Sequence, residues 1–121
     1  MKKKELIFIS HILDSISKIE YFMGNVAKES FFNNEEKQSA VIRQIEVIGE
    51  AVKNFSTEFK NQYKNIEWNK ISGARDKIIH HYFKVNIDII WDIIKKDLPD
   101  LKVKIQKIKE ELEKTNENPK S

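Results

Sequence analysis

Apolar residues recur every three or four positions in several long stretches of the chain, with polar residues between them. In the first stretch the repeat comprises Leu6, Ile9, Ile12, Ile16, Ile19, Met23 and Val26. In the second stretch it comprises Ile42, Ile45, Ile48, Val52 and Phe55. This spacing places the apolar side chains on one face of an α-helix, so each stretch is predicted to form an amphipathic helix that packs in a core.

Two further stretches carry the same spacing later in the chain. One begins near Trp68 and places Ile71, Ala74, Ile78 and Tyr82 on a single arc. The other carries Leu98, Leu101, Ile105, Ile108 and Leu112. The alternating steps of three and four in this last helix resemble a coiled-coil seam, so it is the best candidate for an oligomer surface in addition to core packing.

Short polar residues stand where helices are expected to begin, because their side chains can accept hydrogen bonds from unpaired first-turn amides. The candidates are Asn33 and Asn34, Ser56 before a short helical piece, Asn65, Asn86 or Asp88, and Asp97 in the cap-like sequence Asp97-Leu98-Pro99. Gly49 lies inside the second long helix, where glycine costs about 1 kcal/mol relative to alanine. Close packing of another helix at Gly49 would account for it.

These patterns predict an all-α fold, an antiparallel four-helix bundle with short extra helices. Residues 1–115 are expected to form one domain, followed by a frayed polar tail over residues 116–121. The chain of 121 residues contains only three glycines and two prolines, so few tight turns are encoded and an all-β fold is disfavoured.

The absence of cysteine excludes disulfides, thiolate metal ligands and a cysteine nucleophile, and it is compatible with a reducing cytoplasm. The basic start and the apolar run Leu6–Ile9 resemble a signal peptide, but His11 and Asp14 interrupt the run early. No stretch approaches the roughly 18 apolar residues that span a bilayer. We therefore expect a cytoplasmic protein that does not enter a membrane.

Positive charge is concentrated between Trp68 and Ile87. The charged residues of this stretch are Lys70, Arg75, Lys77, Lys84 and the single acidic residue Asp76, which together give the net +3 that the whole chain carries. His80 and His81 lie in the same stretch. Such a segment would attract a phosphate-rich partner. On charge alone, however, an ordinary solvated face is the simpler interpretation.

The position of Arg75 makes the segment less ordinary, because it points into the apolar arc of its helix. An unpaired buried guanidinium would cost several kcal/mol. Arg75 is therefore expected to meet a carboxylate, to line a wet cleft or to face a partner subunit. Glu46 and Glu50 on the second long helix are the candidate carboxylates.

His80 lies about 140° around a regular helix from Arg75, so the two side chains do not share a face of an unbroken helix. Either the helix is distorted near His80, or the pair is assembled across a two-fold axis that brings two copies of this helix together. Gly73 would permit the close backbone approach that such a pairing requires.

The order of Arg75, four residues, His80, one residue and Tyr82 matches the Arg-x4-His-x-Tyr motif of the HEPN superfamily. Four blocks around the motif resemble the HepT branch, the toxin half of the MNT–HepT (nucleotidyltransferase–HEPN) toxin–antitoxin modules. These blocks are AVIRQIEVIGEAV at 40–52, WNKISGAR at 68–75, VNIDIIW at 85–91 and DLPDL at 97–101. The similarity extends over nearly the whole chain.

This resemblance implies an HEPN-like bundle that forms a homodimer, or a higher oligomer, with two motifs in one cleft. It implies a metal-independent endoribonuclease without a cofactor, the toxin of a type VII system, acting on RNA such as tRNA or mRNA. His80 would be the acid or base, Arg75 would stabilise the phosphorane, and Asp76 would support them. The candidate RNA contacts are Lys70, Lys77, His81 and Lys84.

The resemblance also implies a partner and an off-switch. A cognate MNT-domain nucleotidyltransferase would act as the antitoxin by attaching AMP to the hydroxyl of Tyr82. His81 is a departure, because many relatives have a small or flexible residue there. It would either add a second proton-transfer group or contact phosphate, or else it has no role.

Two other hypotheses about the function remain open. The chain could be a non-catalytic HEPN adaptor that docks to a nucleotidyltransferase and helps to bind its nucleotide or substrate, although the intact Arg75 and His80 favour the enzyme. A metallohydrolase using His11, His80, His81 and carboxylates is the weaker reading, because no two histidines stand four residues apart on a helix.

Overall fold

The described part of the chain, residues 2–80 and 86–117 of a computed structural model, consists of helices and connecting turns and contains no strand. The helices are α1 (Lys2–Met23), α2 (Lys28–Phe32), α3 (Glu35–Lys53), α4 (Thr57–Gln62), α5 (Trp68–His80), α6 (Ile87–Asp92) and α7 (Leu98–Glu117), with a π-helical turn (Ile93–Asp97) between the last two. The predicted all-α class is confirmed. Helix α7 continues past the boundary expected at residue 115, and the rest of the predicted tail, 118–121, lies outside the described residues.

The four long helices form the bundle, and neighbouring helices run antiparallel. Helix α1 packs against both α3 and α7, and α3 also packs against α5. The ring centroids of Phe8 and Phe55 lie 6.1 Å apart, so the beginning of α1 is near the end of α3. Those of Phe55 and Trp68 lie 5.4 Å apart, so α5 begins where α3 ends. Helix α3 therefore lies between α1 and α5.

The apolar helix faces that the sequence predicted form the hydrophobic core. On α1, the four isoleucines of the stripe are at most 1% exposed. The stripes of α3 and α7 are buried with them: Ile42, Ile45, Ile48, Val52, Leu98, Leu101, Ile105, Ile108 and Leu112. The seam of α7 is thus used inside its own chain, where α7 packs against α1. That this last helix also provides an oligomer surface stays a prediction.

Three of the expected helix caps are formed. The side chain of Asn34 accepts the backbone N–H of Lys37 at 2.9 Å, and Asn86 accepts that of Asp88 at 2.8 Å. Ser56 caps the short helix α4 in the same way, by accepting the N–H of Phe59 at 3.1 Å. Each cap satisfies a first-turn amide that has no partner within the helix.

Asn33 and Asn65 do not cap helices in the expected way. Asn33 ends α2 instead of beginning α3. Helix α5 begins at Trp68, and the carbonyl of Glu67 accepts its first amides. The carbonyl of Asn65 accepts the ammonium of Lys104 at 2.8 Å.

Asp97-Leu98-Pro99 does not interrupt the last helical stretch, contrary to expectation. Leu98 has helical dihedral angles, φ −67° and ψ −40°, and its N–H bonds to the carbonyl of Ile93 five residues earlier. The wider π turn lets the chain continue past Pro99, which has no N–H to donate. Burial of Ile94, Leu98 and Leu101 favours this continuation over a break. In the part of the chain that the structure describes, no helix is both long and apolar enough to cross a membrane.

Candidate functional site

A groove of about 460 Å³ crosses the outer face of α3 between α1 and α5, and we call it the α3 groove. Phe8 and His11 of α1 line one wall, and Arg75 and Ile79 of α5 line the other. The floor comes from α3, where the lining residues are Arg43, Glu46, Val47, Glu50, Ala51 and Asn54. The spacing of these floor residues is that of one helical face.

Gly49 sets the separation of α3 and α5 at this groove. A Cβ atom at position 49 would lie 2.7 Å from Arg75 Cγ, and closer still to Arg75 Cβ. Atoms in folded proteins do not approach so closely, so only glycine allows this contact. The expectation that another helix packs at Gly49 is confirmed, and the stem of Arg75 therefore rests directly on the backbone of α3.

The guanidinium of Arg75 bridges two carboxylates. Its Nη2 lies 2.9 Å from Glu50 Oε2, and its Nη1 donates to Asp76 Oδ1 at 3.1 Å. Glu46, the other candidate from the sequence, lies 3.5 Å from Arg43 instead. Two of the environments expected for Arg75, a carboxylate partner and an open groove, thus occur together. Its side chain is 25% exposed, so solvent and ligands can still reach it.

Asp76 is held by two cations. Lys53 Nζ lies 2.6 Å from Asp76 Oδ1, the same oxygen that accepts from Arg75. Hydrogen bonds from Lys53 and then from Arg75 lower the pKa of the Asp76 carboxyl below its ordinary value of 3.8. Asp76 is therefore ionised at neutral pH, and it can hold the Arg75 side chain but has no proton to donate there.

His80 lies apart from this groove. Helix α5 runs without a break from Trp68 to His80, so the distortion considered from the sequence does not occur before His80. The imidazole is exposed and is not among the residues that line the α3 groove. Within one chain, therefore, Arg75 and His80 are on different faces of α5 and do not form a joint site.

Among the described residues, none covers the face of α5 that carries Gly73 and His80. Gly73, Lys77 and His80 stand at positions that fall within an arc of about 60° on a regular helix. A Cβ atom at Gly73 would meet nothing within 4 Å, and Lys77 and His80 are exposed. This face leaves room for the backbone of another helix.

The candidate RNA contacts have different surroundings. Lys70 lies 3.7 Å from Glu67 and 3.6 Å from Asp97, so its charge is partly compensated. Lys77 forms no ion pair with any other residue in the described ranges. The other candidates, His81 and Lys84, and the modification candidate Tyr82, lie outside the described residues.

A larger cavity of about 1050 Å³ lies on the other side of α5, between that helix and the α6–α7 segment. Its walls are mainly apolar, and include Ile45, Ile48, Ile71, Ile78, Ile89, Ile90 and Ile93. The lysines at its rim include Lys96 and Lys104, which pair with Asp92 and Asp100 at 3.9 Å and 3.0 Å. Lys70, Gly73 and Lys77 of α5 also line this cavity, but neither Arg75 nor His80 does, so we place the candidate site in the α3 groove.

Lys53 and His11 were not predicted from the sequence to lie near Arg75. Both are far from Arg75 in the chain, and only the packing of α1 and α5 on α3 brings them near it. The signal for Lys53 was its position three residues after Glu50, on the face of α3 that carries the candidate carboxylates. Within residues 2–80 and 86–117, no group of three or more His, Asp or Glu side chains is placed to hold a metal ion.

The comparisons with known proteins agree on one family. The sequence model of the ribonuclease HepT-like family matches residues 12–108. A "gamma-glutamylcyclotransferase and putative RNase" of Methanocaldococcus jannaschii is 43% identical over 118 residues, which are 98% of this chain and 53% of that protein. The chain thus spans about half of that relative. A "putative RNase" of the same organism is 40% identical over 98% of both chains.

A third relative carries the family name. The "probable ribonuclease HepT" of Thermococcus cleftensis is 38% identical over 109 residues, covering 90% of this chain and 99% of that protein. No solved structure matches the chain significantly. The match over residues 12–108 includes the α3 groove residues Arg75 and Glu50, together with Gly49 and His80. The resemblance noted in the sequence is confirmed, and the chain belongs to the HepT-like ribonuclease family.

Proposed function

We propose that this chain is a metal-independent endoribonuclease, the toxin of a type VII MNT–HepT system, whose active site is shared by two copies of the chain. The observation that carries the proposal is the setting of Arg75, which is held by Glu50 and Asp76 in an open groove. A guanidinium fixed in this way presents its remaining N–H groups to a phosphate in a defined orientation. Membership of a ribonuclease family supports RNA as the substrate.

The reaction needs two proton transfers and a cation. The ribose 2′-hydroxyl gives its proton to a base as its oxygen bonds to phosphorus. The bond from phosphorus to the 5′-oxygen then breaks, and that oxygen takes a proton from an acid. The phosphorane between these steps carries extra negative charge, which Arg75 stabilises. His80 serves as one of the two proton-transfer groups, because an imidazole can accept or donate near neutral pH.

A second copy of the chain completes the site. Arg75 and His80 are on different faces of an unbroken α5, whereas an isologous dimer places the α5 helices of two chains together. The open face with Gly73, Lys77 and His80 is where the second helix would approach. The His80 of one protomer would then reach the Arg75 of its partner, and each dimer would contain two equivalent sites.

Tyr82 is the proposed point of control. A cognate MNT-domain nucleotidyltransferase would transfer AMP to the phenol oxygen, with release of pyrophosphate from ATP. Tyr82 follows His80 by two residues, so the added nucleotide would block the cleft. Mass spectrometry after coexpression with a neighbouring nucleotidyltransferase should find an AMP adduct on Tyr82. An adduct at another residue, or none, would contradict this part of the proposal.

The ribonuclease assignment is tested with purified protein, RNA and EDTA. The wild type should degrade RNA at the same rate with and without the chelator. Arg75→Ala and His80→Ala should each lower the rate by about 100-fold or more, in line with the loss of a charge-stabilising or proton-transfer group. Lys18→Ala, an exposed change on α1 outside the groove, is the control and should cleave normally. A wild type that needs a metal ion, or fully active variants, would contradict the assignment.

A further inference from the structure

The wall of the α3 groove opposite Arg75 carries a histidine with no assigned role. His11 is on α1, and its imidazole is exposed. It makes an edge-to-face contact with the ring of Phe8 one turn earlier, at a centroid distance of 5.9 Å and an angle of 84°. Phe8 itself packs edge-to-face on Phe55 at 6.1 Å. The ring of His11 is thus positioned by packing, and its nitrogens form no hydrogen bond with a residue in the described ranges.

His11 and Arg75 line the same groove, which His80 of the same chain does not. The groove is open and measures about 460 Å³, enough for a phosphate group and its ribose. A phosphate that contacts the Arg75 guanidinium therefore lies in the space that His11 also borders. Of the described residues that line this groove, His11 is the only one with an imidazole.

The charges around His11 nearly balance. Arg43, Glu46 and Glu50 face the groove from α3, and Arg75 faces it from α5. Asp14 lies one turn away on α1 itself. The two guanidiniums are opposed by carboxylates at 3.5 Å and 2.9 Å, so a bound phosphate would add the main uncompensated charge at the ring. An imidazole next to the phosphate is well placed to exchange a proton with the ribose 2′-hydroxyl or the leaving 5′-oxygen.

We propose that His11 is a further catalytic residue of the ribonuclease site, supplying one of the two proton transfers that RNA cleavage requires. The inference rests on the proposed function. One imidazole, uncharged, takes the proton of the 2′-hydroxyl as the new bond to phosphorus forms. The other imidazole, charged, gives its proton to the 5′-oxygen as the old bond breaks. His11 and the partner's His80 divide these two steps, and the charges on the two rings exchange.

A substitution that keeps the ring but removes its nitrogens separates this role from packing. His11→Phe preserves an aromatic ring against Phe8 and cannot transfer a proton. His11→Gln is the second variant, which keeps hydrogen bonding but does not titrate. Position 11 is exposed, so the fold should survive both substitutions, as circular dichroism and thermal melting would verify. Lys18→Ala on the same helix is again the matched control.

The measurement is the pH dependence of kcat and KM for a fluorescent RNA oligonucleotide of mixed sequence in EDTA. Both variants should lose about 100-fold or more in kcat with little change in KM. One limb of the bell-shaped pH profile should disappear. In a third variant, His11→Ala, added imidazole should partly restore the rate. Near-normal kcat in His11→Phe, with the profile unchanged, overturns the inference and leaves the proposed function standing. An inactive wild type overturns both.

Discussion

Arg75 lies where a guanidinium is neither buried nor free in water, with 25% of its side chain exposed. Glu50 and Asp76 each form an ion pair with one of its terminal nitrogens, and Gly49 allows the aliphatic stem of Arg75 to lie against α3. These contacts reduce the number of orientations that the side chain can adopt. A cation fixed before substrate binds loses less entropy when it meets the phosphorane, which is the basis of electrostatic preorganisation.

Asp76 should make the stability of the protein depend on pH in the acid range. Because the pKa of Asp76 is lowered in the folded state, the unfolded chain binds a proton more readily. The stabilisation is present above the ordinary pKa of 3.8 and is lost as the pH falls through the lower pKa of the folded state. Asp76→Asn should therefore melt at a lower temperature than the wild type at neutral pH, and the difference should close below 3.8.

Thermal melts of the wild type and Asp76→Asn at a series of pH values would measure this difference. Lys53→Gln should reduce it, because the hydrogen bond from Lys53 is the largest cause of the lowered pKa. A difference in melting temperature that stays constant from neutral pH down to acid would show that Asp76 is not stabilised as an anion by these contacts.

Some of the contacts of Arg75 could be predicted from the sequence. Its position in an apolar arc predicted a carboxylate partner, a wet cleft or a partner subunit, and Glu50 is one of the two candidate carboxylates. The roles of Lys53 and His11 could not be read in the same way, because both depend on how α1 and α5 pack on α3. Periodicity predicts which face of a helix is buried but not which residues of neighbouring helices meet at its edge.

At the scale of the elements, α3 and α5 each contain one glycine, and the space around the two glycines differs. A Cβ atom at Gly49 would overlap the stem of Arg75, whereas one at Gly73 would meet nothing within 4 Å. Alanine is the better helix former by about 1 kcal/mol. Only at Gly73 can the monomer gain that stabilisation without a steric cost.

Gly73→Ala should therefore stabilise the folded chain by about 0.5–1 kcal/mol. Gly49→Ala should destabilise it by about 1–3 kcal/mol, because α5 must shift to relieve the overlap. The free energy of unfolding in urea measures both changes. Equal effects of the two substitutions would contradict the close packing of α5 on α3. A loss of RNA cleavage in Gly73→Ala with its stability raised would indicate that the partner helix passes close to Gly73.

Three helices begin at the cap that local signals predicted, whereas the core overruled the signal at Asp97. Asn34, Ser56 and Asn86 begin helices because each can bond a first-turn amide, which is a local property. Asp97 before Leu98–Pro99 offered the same kind of signal, but the helix continues through a π turn. Local chemistry can identify a possible cap, whereas the burial of Ile94, Leu98 and Leu101 decides whether the chain stops there.

At the scale of the whole molecule, the motif is divided between two faces of one helix. The sequence already indicated the conflict, since five residues of regular helix separate Arg75 from His80 by about 140°. Because α5 is a regular helix through His80, a distortion between the two residues is excluded as the way to bring them together. The apolar seam of α7 is also used within its own chain. The open face of α5 is therefore our candidate for the dimer contact.

The most direct test of the shared site is to mix two inactive variants. Arg75→Ala and His80→Ala are each unfolded, combined in equal amounts, refolded together and assayed on RNA in EDTA. A mixed dimer has one site with both residues intact if Arg75 and His80 come from different chains. Half of the dimers are then mixed and half of their sites are intact, so about a quarter of wild-type activity should return. If no activity returns although the mixed dimer forms, the site is not built from Arg75 of one chain and His80 of the other.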